Sequence, residues 1–502
     1  MTTNFDGLED WLCRHNCYYY KPNRQEEERC RGYSLVRVLM KSRPQLISES
    51  SAEAFDPNFK KTFLLNHICQ SCPFYIEDCD FTSIEPPENC LPCGGLVFIS
   101  NLLKHCRIEE SDIRLANLEE LGDRAYISLS TKSCIKRLEE TYLYHIGRDE
   151  LYEINNDACD FVVKCDGSAT VADLAPDREF LEFCMSEDLL NVSKSPGERQ
   201  IQIAKAPEPS LRYLEWLVTY RCNLSCAHCY LGEMKNEDYN PELIRPLLNE
   251  FDQMQGLRIL VSGGEPTLYE HFEILNDSLA DYSIRAVLLT NGSTLNKDLV
   301  KRLRFHEVQV SLDGMEKGHT AIRGKGSFAK AVRAMELIRA AGIDLSVATM
   351  VHRFNLDEWE NMKDLIESLG VKEWSVDYPC VKGRWDRHPE LQVGFQEAAQ
   401  RMLYAFGGSY HGTSSGWTCG RHLAAVLPSA DVCKCGLFPE IQLGSVKTGL
   451  TKAWSRMPHI PISETDCLGC DQADICGGGC RFRAGSGNSR DEVMCFLLKG
   501  KI

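Results

Sequence analysis

The chain has 502 residues, 43% of them apolar, and a formal charge of −16. That length exceeds one ordinary hydrophobic core, so several domains are expected, and an acidic balance without basic clusters interleaved with aromatics argues against a nucleic-acid partner. The opening stretch MTTNFDGLEDW is acidic where an export signal has a basic region and an apolar core, and no run approaches the ~20 apolar residues that span a membrane. A soluble, cytoplasmic chain with no membrane partner is expected. Twenty-five cysteines in a large chain lacking an export signal point to metal or redox cofactors rather than disulfides, and an odd total fits pairing poorly.

Taken in chain order, residues 1–118 form a cysteine-rich region holding Cys13, Cys17, Cys30, Cys69, Cys72, Cys79, Cys90, Cys93 and Cys106. CRHNC, CQSC and CLPC are loop spacings suited to metal, and the eight thiols from Cys13 to Cys93 suffice for two four-ligand sites; iron–sulfur and zinc both remain open for them. Residues 124–196 show strand-like AYISLS, TYLYHIG and DELYEIN, then helical patterns in NDACDFVVKC and REFLEFCMSEDLL, and polar SKSPGERQ reads as a linker. Cys106, Cys134, Cys159, Cys165, Cys184 and Cys380 sit in helical or strand patterns without partners and are expected to be structural thiols.

Residues 211–385 alternate apolar strands with amphipathic helices. LRYLEWLVTY, LRILVSGG, IRAVLLTNG, EVQVSLDG, DLSVATMVHR and EWSVDYP are separated by helices such as NPELIRPLLNEF and GSFAKAVRAMELIRAAG. Six such units predict an α/β fold, a partial (β/α)6 barrel whose parallel strands are joined by right-handed crossovers, with the active site at the C-terminal strand ends. A helix around LQVGFQEAAQRMLYAF leads into a last cysteine group within 408–502.

Cys222, Cys226 and Cys229 form a CX3CX2C triplet directly after the first of these strands. Three thiolates on one loop can hold three irons of a four-iron, four-sulfur cluster and leave the fourth iron open to a small molecule. Structural zinc draws its thiolates in CX2-4C pairs and completes a tetrahedral set, which this loop does not offer. Ser262-Gly263-Gly264-Glu265-Pro266 ends the second strand, where glycines allow close approach to backbone and a carboxylate can accept hydrogen bonds from an ammonium group. Thr290-Asn291-Gly292 ends the third strand, and Ser311-Leu312-Asp313-Gly314 the fourth.

With these motifs, residues 211–385 resemble the radical S-adenosylmethionine (SAM) enzymes. The resemblance implies that the triplet holds the SAM-binding cluster and that Gly263, Gly264 and Glu265 receive the amino group of SAM. It further implies that Asn291, Ser311, Asp313 and Arg323 help hold the sugar and carboxylate ends. His228 stands where the family commonly has an aromatic residue near the adenine, and Val376 closes over that ring. The expected chemistry is reductive cleavage of SAM to a 5'-deoxyadenosyl radical, fed by a one-electron donor such as flavodoxin or ferredoxin.

CLGCDQADICGGGC spaces Cys467, Cys470, Cys476 and Cys480 as CX2CX5CX3C, with Cys495 beyond and Cys419 and Cys435 upstream. This resembles the SPASM domain, which carries auxiliary 4Fe-4S clusters in radical enzymes that modify peptides. The resemblance implies one cluster on Cys467, Cys470, Cys476 and Cys495, and a second on Cys419, Cys435 and Cys480. Cys433 is a candidate fourth ligand to the second, because in an extended DVCKC it projects from the same face as Cys435. The family pattern has glycine where Ala430 stands, which leaves that ligand set, including an open iron, unsettled.

Residues 124–196 resemble the small leader-peptide-binding domain of the pyrroloquinoline quinone peptide chaperone, with three strands and three winged-helix-like helices and a sheet edge on which a peptide can add. The combined expectation is maturation of a ribosomally made precursor peptide by crosslinking, thioether formation or side-chain oxidation. Maturation of a folded protein, as in sulfatases, or of a small molecule such as a tetrapyrrole is the alternative. No general base is singled out; Asp377, Asp431 and Glu440 are the carboxylates nearby in sequence.

Overall fold

The computed structural model describes residues 12, 30–46, 55–56, 59–70, 72, 74–75, 79–82, 90–233, 235–408, 416–485 and 488–499. Cys13 and Cys17 lie outside the described residues. The chain divides into two compact units, one comprising Met1–Ile135, Leu143–His145 and Tyr152–Gln202, and the other Lys136–Tyr142, Ile146–Leu151 and Ile203–Ile502. Among the described residues no helix is long and apolar enough to cross a membrane.

The smaller unit opens with helices α1 (Arg31–Ser42), α2 (Gly94–Lys104) and α3 (Glu110–Leu121), which bury Leu35, Leu39, Ile99, Leu103 and Ile113 in one core. Next along the chain, without regard to that division, come strands β1 (Tyr126–Leu129), β2 (Ser133–Arg137), β3 (Thr141–His145) and β4 (Glu150–Glu153), then α4 (Asn156–Val163), β5 (Asp166–Thr170), α5 (Val171–Leu174), α6 (Arg178–Ser186) and β6 (Leu190–Ser193). The strands form two sheets, ordered β5-β1-β6 and β2-β3-β4. Residues 124–196 thus hold six strands rather than the three expected. Polar DGSAT and short LNVS carry no period-2 signal, and only pairing with β1 on either side makes them strands. Helix starts follow local chemistry: Thr170 caps α5 in a capping box with Asp173, and Asn155 and Asp177 cap α4 and α6. Cys159, Cys165 and Cys184 pack as small apolar side chains with Ile127, Val162 and Leu181. Cys106 differs from expectation: it is exposed, beyond the end of α2, at a left-handed φ of 51°.

The larger unit is built on parallel strands β7 (Tyr213–Leu217), β8 (Arg258–Ser262), β9 (Arg285–Thr290), β10 (Glu307–Ser311), β11 (Asp344–Met350) and β12 (Glu373–Asp377). Between them run α7 (Ile244–Gln253), α8 (Phe272–Ser278), α9 (Lys297–Arg302), α10 (Glu316–Arg323), α11 (Ser327–Ala340) and α12 (Trp359–Ser368). α7 shows why the helices face the sheet: Ile244, Leu247, Leu248 and Phe251 recur at helical spacing and all are buried. The barrel is open. Strand β13 (Leu423–Val426) pairs parallel with β7, and β14 (Asp431–Cys433) and β15 (Gln442–Ser445) continue antiparallel, giving the order β12-β11-β10-β9-β8-β7-β13-β14-β15. The C-terminal cysteine region therefore extends the barrel sheet.

At the N-terminal strand ends, buried Arg285 bonds Glu307 at 2.8 Å and Asp344 at 2.7 Å, tying the starts of β9, β10 and β11. All the cysteine and glycine motifs fall at the opposite ends, which separates the stabilising face from the site. Burial pushes His306, His319 and His422 of this unit each down to about 4. Between about pH 4 and 6.5 the unfolded chain takes up protons that these buried rings refuse, so stability rises with pH across that window and is lost as pH falls, by about 1.4 kcal/mol per proton per pH unit. We expect the urea midpoint of the cluster-free chain to drop clearly between pH 7 and pH 5; an unchanged midpoint would contradict this.

Candidate active site and its family

The loop after β7 lies directly on the end of β8. Gly264 N–H donates to the Thr219 carbonyl at 2.8 Å and Glu265 N–H to the Arg221 carbonyl at 2.8 Å. A Cβ on Gly263 would stand 2.3 Å from the Thr219 oxygen, and one on Gly264 2.3 Å from the Arg221 oxygen; Gly263 also has φ +140°. The two glycines are thus required first by the backbone of the cysteine loop itself, and only then by a ligand.

Glu265 is fully buried. Its Oε1 accepts from the hydroxyls of Thr267 at 2.6 Å and Thr290 at 2.7 Å, and Oε2 accepts from Asn291 N–H at 2.9 Å. Burial raises its pKa above the usual carboxylate range, while these bonds oppose the rise. Asn291 in turn donates to Asn223 Oδ1 at 3.0 Å, fastening the end of β9 to the cysteine loop.

Asp313 is also fully buried. It ion-pairs with the Arg323 guanidinium and accepts Met350 N–H at 2.7 Å. Burial raises its pKa, but Arg323, His228 and His319 outweigh that and hold it below the usual range. Arg323 reaches on to Cys226 Sγ at 3.9 Å and to His228 Nε2 at 3.3 Å. Burial pushes His228 down to about 3, so its ring is neutral at physiological pH, and its buried Nδ1 has no hydrogen-bond partner among the described residues. Cys226 is buried, with Cys222 and Cys229 partly exposed beside it and each within electrostatic reach. Ser311 closes β10, and Val376 on β12 is buried in the core. Among the described residues no three His, Cys, Asp or Glu side chains are gathered as one metal ion requires; around a four-iron cube each thiolate binds its own iron. Three thiols, a neutral ring with a nitrogen unpartnered among the described residues, and buried carboxylates at the ends of the second and fourth strands fit such a cluster and a bound zwitterion.

An open parallel barrel with a cysteine triplet at the end of its first strand defines a class. Residues 216–366 match the Radical SAM superfamily model. Among the chain's relatives is the mycofactocin maturase MftC of Mycobacterium ulcerans, 29% identical over 302 residues, 53% of this chain and 82% of the relative. The AdoMet-dependent heme synthase of Nitratidesulfovibrio vulgaris is 28% identical over 334 residues, 55% of this chain and 89% of the relative. The crystal structure of Streptococcus suis SuiB bound to precursor peptide SuiA shares the fold, with a TM-score of 0.53 at 12% identity over 73% of this chain and 99% of that one.

The C-terminal cysteines form two groups. Cys467, Cys470, Cys476 and Cys495 line one small cleft, together with Met494 and Leu498. Beside it, the run Gly477-Gly478-Gly479 is left-handed throughout, with φ of 57°, 74° and 69°, which lets Asp491 accept Cys480 N–H at 2.8 Å. In the second group, Cys419 Sγ accepts Arg481 N–H at 3.5 Å, and Cys419 is within electrostatic reach of Cys480 and Cys435. Cys433 is fully buried among Leu217, Ala425 and Leu427 at the end of β14, where the extended backbone stops. Ala430 keeps a left-handed φ of 69°, so the turn expected of glycine survives with alanine; its methyl is buried, offsetting the roughly 1–2 kcal/mol cost of that conformation.

Two residues escaped the sequence reading. Cys380, expected to be a structural thiol, hydrogen-bonds with Cys480. Nothing in its spacing marks it, because the contact is made across more than ninety residues of chain. Glu215 on β7 accepts Gly436 N–H at 2.9 Å and the Tyr230 hydroxyl at 3.3 Å, joining the residues that follow Cys435 and Cys229. Its signal was present: a carboxylate inside the apolar run LRYLEWLVTY. Of the carboxylates noted from sequence, Asp377 pairs with Arg483, Asp431 accepts from Ser429 Oγ at 2.8 Å, and Glu440 lies 3.8 Å from Lys382. Replacing Gly264→Ala is expected to lift the cysteine loop off the end of β8, because the new Cβ would stand 2.3 Å from the Arg221 carbonyl oxygen. Limited proteolysis of the loop with far-UV circular dichroism checks this, and an unchanged cleavage rate would contradict it.

Proposed function

We propose that this chain is a radical SAM peptide maturase. The carrying observation is the triplet loop seated on Gly263-Gly264 with Arg323, His228 and Asp313 around Cys226. In this reading Cys222, Cys226 and Cys229 bind three irons of a 4Fe-4S cluster and leave one iron for the amino and carboxylate groups of SAM. Bound together, the reduced cluster and SAM supply a 5'-deoxyadenosyl radical able to abstract a substrate hydrogen.

The protein's own residues bind, orient and exclude water. Gly263, Gly264 and Glu265 face the SAM amino group, and Asn291 and Ser311 its sugar. Asp313 holds Arg323 between the cluster and the carboxylate end of SAM, where a guanidinium suits a carboxylate. His228 stays uncharged and turns Nδ1 to the adenine, and Val376 covers that ring. Cys467, Cys470, Cys476 and Cys495 hold one auxiliary 4Fe-4S cluster; Cys419, Cys435 and Cys480 hold another, with Cys380 as fourth thiolate in preference to Cys433, since Cys380 is the thiol bonded to Cys480. Electrons enter from a flavodoxin or ferredoxin in the cytoplasm.

The substrate assigned is a ribosomally made precursor peptide, whose leader adds to the edge strand β4 of the β2-β3-β4 sheet. Likeness to a maturase, and a shared fold with a protein crystallised with its precursor peptide, support this reading. A tetrapyrrole substrate is the second reading, favoured by the likeness to a heme synthase. Such an enzyme has no use for a peptide-capturing sheet. The test is anaerobic reconstitution with SAM, a one-electron reductant and either candidate precursor peptides or iron porphyrins. Deoxyadenosine and a mass change in a peptide are expected, both abolished when Cys222, Cys226 and Cys229 become alanine. Deoxyadenosine formation that survives that replacement would overturn the chemistry, and turnover of a porphyrin alone would overturn the substrate.

A further inference from the structure

The smaller unit holds a gathering of thiols that the radical SAM chemistry does not use. Cys30 caps α1, and its Sγ accepts Tyr33 N–H at 3.4 Å. Cys72 Sγ accepts the next free N–H of the same helix end, that of Arg31, also at 3.4 Å. Cys93 immediately precedes α2, and its thiol hydrogen-bonds with that of Cys30. Buried Cys69 lies within electrostatic reach of Cys30, Cys72, Cys79 and Cys93.

Two glycines bring these residues together. A Cβ on Gly95 would stand 2.3 Å from the Gly32 carbonyl carbon, and one on Gly32 only 3.0 Å from Cys93 Sγ. Only side chains this small let the first turns of α1 and α2 touch, and that crossing sets their N-caps, Cys30 and Cys93, side by side. The short turn at CQSC then adds Cys69 and Cys72, with Cys72 N–H bonded to the Cys69 carbonyl at 2.8 Å. Burial raises the Cys69 and Cys72 thiols above their usual range, and the neighbouring Cys30, together with burial, raises Cys93; the Arg31 N–H aimed at Cys72 opposes the rise there, so without a bound cation these sulfurs stay protonated. Thiols serving only as apolar filler need no N–H donors aimed at them. Here the sulfurs act as acceptors, as metal-bound thiolates do.

We propose that Cys30, Cys69, Cys72 and Cys93 bind an iron–sulfur cluster, each thiolate on its own iron, with Cys79 at its rim; a single zinc ion is excluded because no three of these thiols are gathered about one point. The centre pins the crossing of α1 and α2 and the CQSC turn to one another. It does not rest on the radical SAM reading and stands or falls separately from it.

The test starts from the full-length chain in which Cys222, Cys226, Cys229, Cys380, Cys419, Cys433, Cys435, Cys467, Cys470, Cys476, Cys480 and Cys495 are all alanine, purified anaerobically and dialysed against chelator. Retained iron and sulfide, with a sulfur-only iron first shell by X-ray absorption, are expected. A folded chain without iron would overturn the proposal. Should that chain fail to fold, the decisive comparison is Cys69→Ala with Cys72→Ala in an otherwise unaltered chain, against a Cys106→Ala control. The double variant is expected to lose one cluster's worth of iron while the control loses none; equal iron in both would overturn the site.

Discussion

A carboxylate with no solvent exposure is tolerable only when every face of it is answered, and Asp313 meets that condition. Arg323 from the end of α10 neutralises it, Met350 N–H at the end of β11 bonds it, and the His352 ring bonds its carbonyl at 2.8 Å. Because Arg323 also reaches Cys226 and His228, the charge balance of one buried pair fixes how the cysteine loop stands over the fourth strand. Glu265 does the same between the second and third strands through Thr290 and Asn291. Two buried anions at the ends of the second and fourth strands, each held by what the next strand offers, organise the mouth of the barrel.

Continuity between the barrel and the C-terminal cysteines follows from pairing and from one connecting stretch. β13 adds to β7 in parallel, and Glu215 on β7 reaches both Tyr230 and Gly436, each one residue past a cysteine. The chain leaving β12 then passes between the two cysteine regions: Arg384 N–H bonds the Cys229 carbonyl at 3.0 Å, Lys382 bonds the Leu437 carbonyl and lies 5.0 Å over Phe482, and Cys380 meets Cys480. Clusters at these places would be held in one rigid frame, as electron transfer among them needs.

Much of this was legible in the sequence, for physical reasons that differ by feature. Six apolar runs with amphipathic helices between them can hardly fold otherwise than as a parallel sheet, and the spacing of Cys222, Cys226 and Cys229 after the first run placed the triplet at the end of β7, where the fold has it. Features made by distant pairing were not legible. β5 and β6 are strands only because β1 lies between them, β13 joins the barrel sheet from two hundred residues away, and Cys380 gains a partner only in the folded chain. Gly263 and Gly264 were read as letting a ligand approach the backbone, and the fold adds a demand the sequence did not show: the backbone of the cysteine loop lies against both. Ala430 shows the opposite limit: a pattern glycine is replaced, yet the left-handed turn it served remains.

The central claim is that the triplet leaves one iron open and that SAM occupies it. Electron–nuclear double resonance on the reduced protein, with its C-terminal cluster cysteines replaced and SAM labelled with 15N at the amino group and 17O at the carboxylate, measures this directly. Hyperfine coupling of both labels to the cluster is predicted. Bound SAM with neither label coupled would contradict the account.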